Sequence, residues 1–197
     1  MSDAATRPPD GPHRLTLVAH APTTAASGLV FGDLGPVLRT GRLPALPAGP
    51  SPVRCGPETA CRQTAEALGL VAEPADALAG PDFGRWAGRS LAEVALTEGA
   101  GLADWLGDPE ARPHGGESLA GLVGRLDAEL TTREWPGARS LWVVTPLVAR
   151  ALVVAALAAP AALVLALDVS FGGEVRLSRN AGRWRLQGLR RSAEPEW

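Results

Sequence analysis

Two short apolar runs constrain the fold most: Arg14 to His20 (RLTLVAH) and Ser140 to Val144 (SLWVV) are rich in β-favouring residues and lack the polar alternation of a half-wet strand. A strand apolar on both faces needs helices above and below its sheet. Helical segments follow where such a sheet requires them. Pro52 to Cys55 reads as a second strand, and Pro57 to Leu68 as a helix that opens on proline and stops at Gly69. Ser118 is placed to cap a helix whose Leu119, Leu122, Val123, Leu126 and Leu130 share one face. A strongly apolar helix around Val148 to Ala158 follows the SLWVV strand. Near the end, Glu174 to Leu177 and Arg183 to Leu186 flank Asn180, Ala181 and Gly182, a hairpin signature. The alternation predicts an α/β fold, a three-layer sandwich with a mainly parallel central sheet and ligands at the strand carboxyl ends.

A chain of 197 residues makes one domain, read as residues 13–189 between a disordered lead-in over 1–12 and a flexible tail over 190–197. Ala21 to Pro50 reads mostly as loop, with Leu34, Val37 and Leu38 spaced for one amphipathic turn. All 19 basic residues are arginine and the formal net charge is -2, so no basic surplus exists to neutralise nucleic acid or an anionic membrane. The longest apolar stretch, Ala151 to Leu167, is broken by Pro160 and falls short of the roughly 20 residues a spanning helix needs. Met1 to Pro12 carries no apolar signal core, which points to a cytoplasmic protein, monomeric or homodimeric. Three scattered histidines and two cysteines supply no recognisable metal site, and no cofactor is expected. Cys55 and Cys61, six apart in a segment read as helix, point to different faces and are not expected to form a disulfide.

His20 directly follows the first strand, where α/β enzymes place chemistry. Its surroundings, LVAHAPT (Leu17 to Thr23), resemble the Leu-x-Arg-His-Gly-x-Thr motif that opens the histidine phosphatase superfamily, the phosphoglycerate-mutase-like proteins. Four further segments are similar to that family in the same order. GPETACRQTAEAL (Gly56 to Leu68) resembles its Ser-Pro-x-x-Arg-Ala-x-Gln-Thr-Ala helix, and DFGRWAGRSLAEV (Asp82 to Val94) its Asp-Phe-Gly-x-Trp-Glu-Gly segment. PHGGESLAGLVGRL (Pro113 to Leu126) resembles its Gly-Glu-Ser block, and LWVVTPLVARALV (Leu141 to Val153) the strand that bears its second histidine.

The resemblance implies a mechanism in which the first histidine attacks a phosphoryl group. Two arginines and a second histidine clamp the oxygens, and an acidic residue protonates the leaving group. Here the two arginine positions hold Ala19 and Ala60, the second histidine position holds Thr145, and the acid position holds Gly80. Removing one transition-state donor typically lowers the rate by about two to three orders of magnitude, so these changes together bear directly on phosphoryl transfer.

Several side chains are candidates for the altered site. Asp82 is placed to replace the acid from further along the Gly80-Pro81 loop, against the plain alternative of a solvated loop carboxylate. His114 offers a second imidazole, with Glu117 as its orienter or as a base; the alternative is a surface histidine and a glutamate that stabilises a helix start. Thr23 keeps its motif position, Thr145 brings a hydroxyl where the imidazole is missing, and Trp86 borders the pocket or joins the core. Arg62 lies two residues past Ala60, a rotation of about 200° to the far side of the helix. Arg150, five residues past Thr145, would need a partner if buried and suits a supporting role.

The expected function is that of a degenerate family member, a pseudophosphatase in the phosphoryl-transfer sense. It binds or transforms a small metabolite, better uncharged than phosphorylated, with His20 as the surviving acid/base group. Two alternatives stay open: a residual phosphomonoesterase acting through phosphorylated His20, and a non-catalytic protein-binding role.

Overall fold

The structure, a computed structural model, describes residues 12–23, 29–32, 35–37, 43–44, 52–135 and 137–191. The lead-in before Pro12, Leu34 and Leu38 of the expected amphipathic turn, and the tail beyond Arg191 lie outside the described residues.

Six strands form one sheet: β1 (His13–Ala19), β2 (Val53–Cys55), β3 (Glu73–Pro74), β4 (Arg139–Val144), β5 (Glu174–Asn180) and β6 (Arg183–Arg190). Their order is β3-β2-β4-β1-β5-β6. The pairs among β1 to β4 are parallel, and the β5–β6 hairpin adds two antiparallel strands at one edge. The expected mainly parallel sheet is present, and it is mixed at that edge. Helices α1 (Thr59–Ala67), α2 (Leu91–Gly107), α3 (Leu119–Thr132) and α4 (Pro146–Ala156) complete the fold.

Alternation within the apolar strands divides the core. Leu15, Leu17 and Ala19 of β1, with Trp142 and Val144 of β4, face the large cluster that includes side chains of α2, α3 and α4. Val18, Leu141 and Val143 face the other way, toward Cys61 and Ala65 of α1. Period-2 geometry thus gives each strand two buried faces, the condition for three layers.

Local chemistry sets the boundaries. Ser118 Oγ accepts the Gly121 N–H at 3.0 Å and starts α3. Thr145 Oγ1 accepts the Val148 N–H at 3.2 Å and, with Pro146 at the first helical position, starts α4. Cys55 ends β2 instead of lying in the helix; both cysteines are buried, and neither is in a disulfide. β6 runs to Arg190, and Arg191 pairs with Asp168 at 3.3 Å. No described helix is long and apolar enough to cross a membrane.

Candidate functional site

The parallel strands β1, β2 and β4 are neighbours, and their carboxyl ends open on one cavity of about 540 Å3. The residues just past those ends, His20, Glu58 and Thr145, all line it. Most of the remaining wall is apolar, including Phe31, Phe83, Leu91, Trp105, Leu147 and Phe171.

His20 is held firmly. Its backbone N–H donates to the Val144 carbonyl at 2.9 Å, and its carbonyl accepts the Gly172 N–H at 3.0 Å. The ring Nδ1 lies 2.8 Å from the Ala21 carbonyl, which only accepts, so Nδ1 carries the proton. In the neutral ring the lone pair is therefore on Nε2. The Phe171 ring packs 5.3 Å from the imidazole, centroid to centroid. Thr64 of α1, fully buried, accepts the Ala21 N–H at 2.9 Å and ties the loop after β1 to the helix after β2.

Of the other sequence candidates, Thr23, Thr145 and Arg150 join His20 on the wall. Thr23 is buried and bridges to Val37, while the Thr145 hydroxyl is engaged in starting α4. Arg150 donates from Nη2 to the Val169 carbonyl at 3.2 Å. Burial draws its pKa below the ordinary arginine value, and Asp168 acts in the opposite sense.

The remaining candidates lie elsewhere. Asp82 is exposed, and its Oδ1 accepts the Gly84 N–H at 2.8 Å, holding a turn. Glu117 forms a two-bond pair with Arg125, at 3.0 and 2.9 Å, away from the wall. Arg62 is exposed and reaches Thr59, in line with the helical rotation. Trp86 is fully buried behind the wall, its Nε1 donating to Glu98 at 3.0 Å.

His114 is neither on the surface nor in the cavity. It sits one layer behind Phe83 and Trp105, ringed by these and by Trp86 at 5.0 Å. Its Nδ1 accepts the Gly116 N–H at 2.9 Å, so the proton is on Nε2, which is buried without a hydrogen-bond partner. Burial lowers its pKa from the ordinary imidazole value, an effect only partly offset by Asp82. Gly116 is required here because any Cβ would run into the Asp82 carbonyl.

Sequence reasoning missed Glu58. Its Oε1 accepts the Gly80 N–H at 2.5 Å, on the side of the cavity where the resemblance implies the acid and the second imidazole. One signal was available: glutamate immediately before a helix is not among the residues that favour that position. The wall also shows what the altered positions leave. Ala60, Gly80 and Thr145 are on it, while Ala19 is fully buried at the end of β1.

The family model of the histidine phosphatase superfamily (branch 1) matches residues 45–192. Solved structures agree in fold. The alpha-ribazole phosphatase from Shigella flexneri matches with a TM-score of 0.71 at 19% identity, over 92% of this chain and 98% of that one. The product of the open reading frame Rv3214 from Mycobacterium tuberculosis matches at 0.74 and 22%, over 91% and 98%. A mycobacterial glucosyl-3-phosphoglycerate phosphatase complexed with VO3 matches at 0.69 and 25%, over 92% and 100%. No curated protein sequence matches the chain. A family model that covers most of the chain, laid over a sheet that gathers His20, Glu58 and Thr145 at one cavity, places this protein in the histidine phosphatase superfamily, branch 1.

Proposed function

We propose that this chain binds, and through His20 transforms, a small non-phosphorylated metabolite with a largely apolar body. The observation that carries the reading is the wall around His20, where Ala60, Gly80 and Thr145 stand at the positions the family resemblance gives to a guanidinium, an acid and an imidazole. Phosphoryl transfer places charge on three equatorial oxygens, and its catalysis consists almost entirely of positioning and charge stabilisation. Among the described wall residues Arg150 is the one guanidinium, a single clamp where the family resemblance implies two arginines and a second histidine; its Nη2 is engaged with the Val169 carbonyl, and its Nε is buried without a partner. The Glu58 carboxylate on the same wall opposes a phosphate dianion.

Acid/base chemistry needs less. A ring fixed through Nδ1–H on the Ala21 carbonyl offers a basic Nε2, and the imidazolium formed on accepting a proton returns it as an acid. The apolar wall favours a desolvated organic body by roughly 25 cal/mol per Å2 covered. The residual phosphomonoesterase is the competing reading, and the same tautomer favours it, because a phosphoryl acceptor also needs a lone pair on Nε2.

Assay of p-nitrophenyl phosphate hydrolysis separates them. The expected result is background turnover, equal in wild type and His20→Ala, with no rise in Tm from inorganic phosphate or vanadate. Phosphatase turnover that disappears in His20→Ala overturns the proposal in favour of the phosphohistidine enzyme.

A further inference from the structure

Glu58 is the one acidic side chain on the described cavity wall, and the family motif assigns no role to its position. Standing immediately before α1, it is placed to hold that helix's first amides, yet it makes no such hydrogen bond. It reaches across to Gly80 instead, accepting that N–H at Oε1. Oε2 is buried and has no hydrogen-bond partner. The seat is built from two residues without side chains: a Cβ on Gly56 would overlap Oε2, and one on Gly80 would lie 3.2 Å from Oε1. Among the described residues, Arg150 donates to Val169 and Arg62 to Thr59, and neither forms an ion pair with Glu58. Oε2 is packed out of reach at Gly56, which leaves Oε1 as the oxygen a ligand's donor can meet, and a carboxylate on an apolar wall is stabilised by such a donor.

We propose that Glu58 recognises a protonated nitrogen, so that the ligand of this cavity is an amine carried on an apolar body. The proposal rests on the reading that the cavity holds a non-phosphorylated, largely apolar metabolite, and it names that ligand's polar group. An ammonium supplies several N–H donors and neutralises the carboxylate within apolar walls, whereas a hydroxyl supplies one donor and no charge. Oε1 has capacity beyond the Gly80 amide, because a carboxylate oxygen accepts more than one hydrogen bond. Phe31, Phe83 and Phe171 line the cavity and provide apolar area for the ligand's body.

The test uses 4-phenylbutylamine and 4-phenylbutan-1-ol, which share one apolar body, titrated calorimetrically into the full chain near neutral pH. Wild type is expected to bind the amine about tenfold more tightly than the alcohol, the difference between a charge-assisted and a neutral hydrogen bond. Glu58→Gln keeps an oxygen for the Gly80 N–H; it should hold the wild-type Tm, change alcohol affinity by less than about threefold and bring the amine down to the alcohol's level. Glu58→Met, which removes the carboxylate altogether, is the second variant and should likewise bind the two probes alike. An amine preference that survives both substitutions overturns the role of Glu58 and leaves the cavity reading standing. Failure of wild type to bind either compound overturns both.

Discussion

Arg125 and Glu117 show how one pair of side chains supports the site from outside it. The Arg125 guanidinium takes both Glu117 oxygens and also donates to the Ala77 and Ala79 carbonyls, at 3.0 and 3.1 Å, directly before Gly80. Glu117→Ala is expected to lower the unfolding free energy by about 1 kcal/mol in urea titrations, because a half-buried pair retains only part of its attraction against solvent. A fully stable Glu117→Ala protein would show that the pair contributes nothing to the fold. The same residue explains why sequence reading went astray here. Glu117 and Asp82 have the right chemistry for acid/base work, but each is engaged, one by Arg125 and the other by the Gly84 amide. His20 was legible because it ends a buried strand, a local property. His114 was not, since its burial depends on rings from Phe83, Trp86 and Trp105, which the sequence does not place together.

Elements with a strong local signal, an unbroken apolar run or a clear period, were read correctly: β1, β4, α3, α4 and the β5–β6 hairpin. The missed ones lack such a period. In α2, Glu98 departs from helical geometry and Gly99 and Gly101 follow it, so the apolar positions fall out of step. Its start was nonetheless written in the sequence, for Ser90 and Glu93 form a reciprocal pair of side-chain to backbone bonds across the first turn. Glu98 is then fixed by Arg85, Arg89 and the Trp86 indole, which hold its carboxyl down at about 2. Strand β3 is two residues long and includes Pro74, which suits the sheet edge and gives no pattern to detect. In the hairpin, Asn180 pairs with Arg183 across Ala181 and Gly182, both with positive φ, at 47° and 77°. That is the backbone of a turn that favours asparagine before glycine, and alanine is strained in its first position. Ala181→Asn is expected to stabilise the protein by roughly 0.5–1 kcal/mol, raising Tm by about 1–4 °C in a calorimetric scan. An unchanged or lower Tm would show that the turn carries no such strain.

At the scale of the whole molecule, two buried histidines in different parts of the core link stability to pH. His13, at the start of β1, has Nδ1 3.0 Å from the Gly137 carbonyl and its ring 4.7 Å from that of Trp135; His114 lies behind the cavity wall. Burial lowers the pKa of both from the ordinary value of 6.5; at His13, Arg179 and Arg133 act in the same direction against the Gly137 hydrogen bond. In the window between the depressed folded value and 6.5, the unfolded chain binds protons that the folded chain refuses. Stability is therefore fully present above that window and is lost as pH falls through it. The carboxyl of Glu98 titrates far lower, at about 2, so its ion network does not contribute to this loss. Urea unfolding free energies should decline steadily from about pH 7 to pH 5, and the decline should be shallower in a His13→Gln/His114→Gln protein, whose side chains stay neutral throughout. Equal slopes in the two proteins would rule out these histidines as its source.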